Sequence, residues 1–262
     1  MGDDEKLFSD GKAYERRMGR WSRIVGEAFL DWLAVPKGLR WLDVGCGNGA
    51  FTEVLIARCV PAAVSAIDRS EGQLRYARAR PEAKLVEFRV GDAQALPYPD
   101  RCFDAAAMAL VISFVPDPGK AVIEMMRVVR PGGWVAAYIW DLPGGGIPVE
   151  PMLRALKSLG VAVAVPGIEV SRRENLRALW KKAGLQSVDT HVIRIPVVYS
   201  DFDDFWQSYS VPEGPSGQPL RKMSPSEIEQ LKTRLREQLP IGPDGRIAYE
   251  AFANAVSGRV PS

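Results

Sequence analysis

Short apolar runs alternate with segments of helical periodicity from residue 39 onward. The run LRWLDV at 39–44 has the length and composition of a buried strand, and 51–59 repeats apolar residues at helical spacing. Four further strands are predicted within the first 140 residues, over 62–68, 84–90, 101–111 and 134–140. Strands separated by helices favour parallel pairing with right-handed crossovers. The pattern therefore predicts an α/β fold with a doubly wound sheet.

The helices between these strands carry recognisable start and stop residues. Ser70 is placed to cap a helix that begins at Glu71, and Asp117 followed by Pro118 predicts another helix start. The PGG sequence at 131–133 is expected to end this second helix before the fifth strand. Each predicted helix thus lies in a crossover between two strands.

The second half of the chain is less regular. Ser171 with Glu174 has the pattern of a capping box at a helix start, and 185–199 alternates like a long strand. Ser224 with Glu227 has the same capping pattern. Two helices near 202–238 are therefore predicted as an insertion before a last strand around 245–256.

The segment LDVGCGNGAF, residues 42–51, places glycines at 45, 47 and 49 between a predicted strand and a predicted helix. Free N–H groups and the dipole of a helix N-terminus favour an anion there, and the glycines also fit the dinucleotide pattern GxGxx(G/A). Asp68 ends the second strand, where a carboxylate can accept both hydroxyls of a ribose. Together these features predict an adenosine-containing ligand, but the glycines do not distinguish which one.

Two further carboxylates narrow the choice of ligand. Asp43 precedes the glycines in the pattern DxGxGxG and would repel a pyrophosphate by about 1–4 kcal/mol at 4 Å, depending on the dielectric. An ammonium or sulfonium group would be attracted instead. Asp92 follows the third strand and is placed to accept a hydrogen bond from an adenine amino group.

Composition excludes several other classes of protein. The 262 residues are 47% hydrophobic and 25% charged, with a net charge of +2, so we expect neither nucleic-acid binding nor an anionic membrane surface as partner. No run of 18 apolar residues predicts a membrane span, and the charged start of the chain does not have the pattern of a signal peptide. The three cysteines, 46, 59 and 102, lack metal-ligand spacing, so we expect no metal site and reduced thiols in a cytoplasmic protein.

Five segments, taken in order, carry a resemblance to a known family. They are LDVGCGNG, AIDRS, VGDAQALPYPDRCFD, FVPDPGKAVIEMMRVVRPGG and LWKKAGL, and the resemblance as a whole covers roughly residues 14–200. The chain resembles the class I S-adenosylmethionine-dependent methyltransferases, in the small-molecule group related to the ubiquinone and menaquinone methyltransferases. The resemblance implies a seven-stranded, mostly parallel sheet of the Rossmann-like methyltransferase fold, with S-adenosyl-L-methionine as cofactor.

The resemblance also implies roles for individual residues around the methionine and ribose parts of that cofactor. Gly45 and Gly47 would lie against the methionine moiety, while Asp43 would hold the loop and face the ammonium group. Ala109, at the end of the fourth strand, would offer its carbonyl to the same ammonium. Asp68 would bind the ribose hydroxyls.

The adenine and the N-terminal arm complete this expected cofactor site. Arg69 would flank the adenine, and Asp92 with the backbone of Ala93 would bind its edge. The family's N-terminal helix often folds over the cofactor, which implies three contacts in YERRMGRWSR: Tyr14, Met18 and Arg23. Arg23 is the expected partner of the cofactor carboxylate. The alternative is an amphipathic helix that uses Trp21 and Phe29 only to pack against the core.

The acceptor side has fewer indications. Phe114 and Trp140 follow strands at the carboxyl edge, where ligands bind in such sheets, and Trp206 lies in a possible lid helix. The aromatic residues of that helix could equally be core packing. His191 is the one histidine and lies within a predicted strand, so we expect a structural or surface role for it. No residue is assigned as catalytic.

We expect a single domain over 1–262. It divides into an N-terminal helical arm (1–38), a cofactor-binding core (39–140) and a substrate-side half (141–262) with a helical insertion at about 201–240. The oligomeric state is left open.

Three functions are compatible with the residues. Methyl transfer to a small-molecule acceptor is favoured by the combination of Asp43, Asp68 and Asp92 with the glycines. An NAD-dependent oxidoreductase uses the same glycines and acid, but no Tyr/Lys or His/Arg constellation accompanies them here. A non-catalytic module that binds S-adenosylmethionine is the third possibility.

Overall fold

Seven strands form one sheet in the part of the chain that the computed structural model describes, namely residues 18–161, 163, 166–210 and 217–262. In chain order they are β1 (Arg40–Val44), β2 (Ala63–Asp68), β3 (Val86–Val90), β4 (Phe103–Ala109), β5 (Val129–Trp140), β6 (Gln186–Tyr199) and β7 (Ile247–Arg259). The spatial order is β3-β2-β1-β4-β5-β7-β6, with β7 antiparallel to both of its neighbours and the other pairs parallel. The predicted doubly wound, mostly parallel sheet is confirmed.

Helices cover both faces of this sheet. They are α1 (Arg20–Leu33), α2 (Ala50–Cys59), α3 (Glu71–Arg78), α4 (Pro118–Val128), α5 (Glu150–Ser158), α6 (Arg173–Lys182), α7 (Phe202–Tyr209), α8 (Gly217–Leu220) and α9 (Pro225–Gln238). Helices α1, α2 and α5 bury apolar side chains in one core, and α4 and α6 do so in another. Because side chains alternate along a strand, Trp41 of β1 enters the first core and Leu42 enters the second.

Three of the predicted helix starts are confirmed by their hydrogen bonds. The Ser70 hydroxyl accepts from Gln73 N (3.3 Å), and the Asp117 carboxylate accepts from Lys120 N (3.0 Å). Ser224 forms the predicted capping box, in which its own N–H donates to the side chain of the glutamate three residues later (2.7 Å). Caps of this kind each stabilise a helix by about 1 kcal/mol.

The predicted capping box at Ser171 is wrong. Helix α6 begins at Arg173, and Ser171 lies before it in a single 3₁₀ turn. The buried Ser171 hydroxyl donates to Ile168 O (2.6 Å) and accepts from Leu142 N (3.3 Å). The Ser171 side chain therefore forms its hydrogen bonds with backbone groups of neighbouring loops instead of capping the helix N-terminus.

The predicted break at 131–133 is also wrong. Helix α4 passes directly into β5 at Val129, and the PGG sequence lies inside that strand, at a register shift against β4 between Phe103 and Ala105. A Cβ on Gly133 would lie 2.6 Å from Asp104 O, so the glycine allows the two backbones to approach closely at the irregularity. Helix α5 was not predicted, because its sequence follows a Gly/Pro-rich stretch.

Strands β6 and β7 extend beyond the carboxyl edge of the parallel strands. Trp140, the last residue of β5, pairs with Ala253, whereas β7 begins six residues earlier at Ile247, opposite Tyr199. Helices α7, α8 and α9 connect the two strands at that extension, where the sequence predicted an insertion. Among the described residues, no helix combines the length and apolar character needed to cross a lipid bilayer.

Candidate cofactor site

The glycine loop connects the end of β1 to the start of α2 at the carboxyl edge of the sheet. Its first two amides, of Gly45 and Cys46, both donate to Ile67 O, at 2.8 and 3.0 Å. Gly45 and Gly47 have φ angles of +75° and +52°, in the left-handed region that glycine adopts readily. The loop is thus fixed against β2, and a Cβ on Gly47 would meet no atom within 4 Å, which leaves that side of the loop open to a ligand.

Asp43 lies fully buried beneath this loop. Its Oδ2 accepts from Thr52 Oγ1 at 2.6 Å, while Oδ1 accepts no hydrogen bond from any described residue. Burial raises the pKa of Asp43 to about 7; the Thr52 bond opposes the shift and the charge of Asp68 adds to it. An unpaired buried carboxylate oxygen is costly unless a donor or cation reaches it. Because Asp43 has no exposed surface, it can favour the ammonium end of S-adenosylmethionine through its charge and through the loop above it, and not by direct contact.

Asp68, at the end of β2, holds the loop from the opposite side. Its Oδ2 accepts from Gly47 N and its Oδ1 from Ser70 N, both at 2.8 Å. Burial raises the pKa of Asp68, while these two backbone bonds act against the rise. Each carboxylate oxygen has a second lone pair, so Asp68 can still accept from hydroxyl groups.

Asp92 follows β3 and forms a turn with Gln94. The backbone N–H of Gln94 donates to Asp92 Oδ1 at 2.8 Å, and this bond is the main cause that lowers the pKa of Asp92. The exposed Arg69 contributes to keeping both this carboxylate and that of Asp68 ionised. Asp92 is therefore a charged acceptor, as recognition of an amino group requires.

The structure brings the other core candidates to the same edge. Ala93 follows Asp92 in the turn after β3, and Ala109 ends β4, next to β1 in the sheet. The ends of four neighbouring strands therefore present the predicted cofactor residues side by side. Their individual contacts with a cofactor stay predictions.

The N-terminal arm is only partly described, and Tyr14 lies outside the described residues. Met18 is buried in the apolar core together with Trp21 and Phe29, as in the packing alternative. Arg23 lies near the glycine loop, with its Nη2 3.8 Å from Glu53 Oε2 in the first turn of α2. Its expected role as partner of the cofactor carboxylate stays a prediction.

The three candidates on the acceptor side do not share one environment. Trp140 is buried and Trp206 packs on the same core, with Lys232 Nζ 5.2 Å from its ring centroid. Phe114 is 42% exposed in a 3₁₀ turn after β4 and lies outside that core. His191 is exposed and stacks on Trp32, with ring centroids 5.7 Å apart, which agrees with its expected surface role.

Two features of the carboxyl edge were missed in the sequence. A cluster of tyrosines lies where β6, β7 and α7 meet: Tyr199 and Tyr209 share a hydrogen bond, and Trp21 Nε1 donates to Tyr199 Oη at 3.3 Å. Arg80 contacts the glycine loop from the segment after α3. Trp21 and Tyr199 are 178 residues apart in the chain, and Arg80 and Asn48 are 32 apart, so no local pattern indicates these contacts.

Replacing Asp43 by asparagine is expected to remove a pH dependence of stability. Because the pKa of Asp43 is raised from 3.8 to about 7, its contribution to stability is fully present below pH ~4 and is lost as the pH rises through 7. Between pH 5 and 8 the wild type should lose about 3 kcal/mol more unfolding free energy than Asp43→Asn. Urea unfolding of the cofactor-free wild type and Asp43→Asn at both pH values measures this difference. An equal loss of unfolding free energy in the two proteins would contradict the prediction.

Known methyltransferases resemble this chain in sequence. Residues 42–137 match the methyltransferase domain family. The demethylmenaquinone methyltransferase of Renibacterium salmoninarum is 35% identical over 165 residues, which cover 61% of this chain and 66% of that protein. The malonyl-[acyl-carrier protein] O-methyltransferase of Methylococcus capsulatus is 38% identical over 117 residues, covering 44% of this chain and 42% of the relative. The chain thus aligns with less than two thirds of the length of these relatives.

Solved structures share the fold at low sequence identity. The YcgJ protein from Bacillus subtilis superposes with a TM-score of 0.60 at 17% identity, over 91% of this chain and 99% of that one. Phosphoethanolamine N-methyltransferase 2 of Haemonchus contortus, in complex with S-adenosyl-L-methionine, gives a TM-score of 0.58 at 20% identity, over 95% of this chain and 56% of that one. These likenesses show the fold.

Proposed function

We propose that this protein, which belongs to the class I S-adenosylmethionine-dependent methyltransferases related to the ubiquinone and menaquinone methyltransferases, transfers a methyl group to a small-molecule acceptor. One observation carries the proposal: Asp43 and Asp68 flank the glycine loop, and Oδ1 of the buried Asp43 accepts no bond from a described residue. A carboxylate at the position of Asp43 disfavours a pyrophosphate and favours a cationic amino acid moiety, whereas Asp68 suits the ribose of either cofactor. The absence of any cationic group bonded to Asp43 among the described residues supports this choice over a dinucleotide.

Positioning is the contribution that we assign to the protein. S-adenosylmethionine supplies a methyl group on a sulfonium that a nucleophile can attack in line. Holding two reactants in line contributes up to roughly 7–11 kcal/mol, so binding and orientation can account for much of the acceleration. The fixed glycine loop, with Asp68 bonded to Gly47 N, suits this task because it needs no rearrangement when a ligand arrives.

The acceptor side is supported by different observations. The names of the relatives mention demethylmenaquinone and malonyl-[acyl-carrier protein], which are organic acceptors and not nucleic acids. The partly buried Trp206 supplies apolar surface near the carboxyl edge, whereas Trp140 is buried in the core on which Trp206 packs. The three cysteines form no disulfide, which supports a reducing, cytoplasmic location.

A thermal-shift comparison tests the cofactor choice. S-adenosylhomocysteine is expected to raise the melting temperature, because a ligand at 100 times its Kd stabilises the folded state by about 2.7 kcal/mol. NADH at the same concentration is expected to leave it unchanged. Stabilisation by NADH alone would assign the protein to the oxidoreductases instead.

Release of S-adenosylhomocysteine then tests catalysis. The protein is incubated with S-adenosylmethionine and a broad panel of small-molecule acceptors, and product is measured by mass spectrometry. Turnover with at least one acceptor is expected. Binding of the cofactor without turnover throughout the panel would favour the non-catalytic module.

A further inference from the structure

Arg80 contacts the glycine loop from the segment that follows α3. Its side chain is only 12% exposed. Its Nε donates to Asn48 O, the carbonyl in the middle of the loop, at 2.7 Å. Its Nη1 pairs with the carboxylate of Glu53 in the first turn of α2. One guanidinium thus holds both the loop and the helix that follows it.

Three other backbone amides of the loop and the helix start are bonded within the protein. Gly47 N is held by Asp68, and Ala50 N donates to Asn48 Oδ1 at 3.2 Å. Gly49 N donates to Cys46 O at 2.9 Å. Arg80 adds to these contacts by donating to the Asn48 carbonyl.

Close packing keeps Arg80 in this position. A Cβ on Gly49 would lie 3.1 Å from Ala77 Cβ and 3.4 Å from Arg80 Cδ, so the glycine lets the end of α3 approach the loop. Arg80 N also donates to Ala77 O at 3.1 Å, which fixes the backbone from which the side chain starts. The guanidinium therefore makes its two bonds from a rigid base.

The contact requires an arginine. The planar guanidinium presents donors in two directions, so Nε and Nη1 can serve the carbonyl and the carboxylate at once. A lysine ammonium at the same reach is a single point and cannot reproduce both bonds in this geometry. Glu53 Oε2 also forms an ion pair with Arg23 Nη2 of α1, at 3.8 Å. The same carboxylate therefore connects the N-terminal arm to the loop.

We propose that Arg80 is a positioning residue for cofactor binding, which holds Asn48 O and Glu53 so that the glycine loop stands ready for the methionine end of S-adenosylmethionine. The inference rests on the proposed function. Arg80 acts through the loop, and we assign it no contact with the cofactor. Without it, the loop must be ordered when the ligand binds, at a cost similar to fixing about one backbone residue.

The test compares Arg80→Met with a matched control, Arg78→Met. Arg78 is 40% exposed and pairs with Glu71 on the surface, so its replacement removes the same charge without touching the loop. Calorimetry with S-adenosylhomocysteine should show a Kd about tenfold higher for Arg80→Met and unchanged for Arg78→Met. Arg80→Lys should lie between Arg80→Met and the wild type.

Two further measurements separate positioning from general destabilisation. Hydrogen exchange of the amides at 47–50 should accelerate in cofactor-free Arg80→Met, while amides of β4 and β5 keep their protection. At saturating cofactor, kcat should stay within about twofold of the wild type, because the ligand itself then orders the loop. If Arg80→Met does not fold, the same measurements of affinity, hydrogen exchange and kcat are made on Arg80→Lys and Glu53→Gln.

The outcomes distinguish this inference from the proposed function. A wild-type protein that does not bind S-adenosylhomocysteine overturns both. A wild-type protein that binds it, with Arg80→Met of equal affinity and equal exchange at 47–50, overturns the positioning role alone. Uniformly faster exchange throughout the sheet would likewise overturn it, because it would indicate a merely structural residue.

Discussion

Replacing Asp68 by alanine is expected to weaken the binding of S-adenosylhomocysteine at least tenfold. The carboxylate accepts Gly47 N and Ser70 N, and its remaining lone pairs are the acceptors that we assign to the ribose hydroxyls. A hydrogen bond to a charged group contributes about 1.5–3 kcal/mol, which corresponds to roughly 10- to 150-fold in affinity. Isothermal titration calorimetry of the two proteins measures the change.

Asp68→Asn serves as a graded control, because it keeps one oxygen acceptor in nearly the same shape. We expect its affinity to lie between those of the wild type and Asp68→Ala. Asp189 lies on the outer strand β6, and its side chain accepts a hydrogen bond from the adjacent Thr190 N, so Asp189→Ala should bind like the wild type. An Asp68→Ala protein that folds and binds with unchanged affinity would contradict the cofactor assignment.

The arrangement of the site could be predicted because its acidic residues lie at the ends of strands. Asp43, Asp68 and Asp92 each lie at or just after the carboxyl end of a parallel strand, and these ends meet at one edge of the sheet. Periodicity sufficed to find the strands, and the glycines marked the turn after the first of them. A local pattern therefore determined a three-dimensional cluster.

Contacts between distant residues could not be predicted in this way. Arg80 and Asn48 are 32 residues apart, and nothing in either neighbourhood indicates the other. Ser171 with Glu174 has the sequence pattern of a capping box, yet the Ser171 hydroxyl accepts a hydrogen bond from Leu142 N instead of from the helix. Tertiary partners decide such cases, since a polar side chain that becomes buried bonds to whichever group the fold places beside it.

Gly45→Ala is expected to lower the free energy of unfolding by roughly 2–5 kcal/mol. A residue with a Cβ at φ +75° is strained by about 1–2 kcal/mol. The new methyl group would also lie 2.7 Å from both Cγ atoms of Val111, and overpacking of this kind costs about 1–3 kcal/mol. Urea denaturation of the cofactor-free protein at pH 7 measures the sum.

Gly47→Ala separates the two causes, because Gly47 has φ +52° but no atom within 4 Å of the position of a Cβ. Only the strain remains, so its loss of stability should be about 1–2 kcal/mol. Combining Gly45→Ala with Val111→Ala should recover part of the overpacking cost, because both Cγ atoms are removed while Val111 Cβ stays at 3.0 Å. The recovery is measured against Val111→Ala alone as a double-mutant cycle. For cofactor binding the order should reverse: the methyl group of Gly47→Ala stands on the open side of the loop, so this variant should bind S-adenosylhomocysteine more weakly than the rescued Gly45→Ala. Equal stability losses at the two glycines would show that Val111 moves aside freely and that backbone strain alone is responsible.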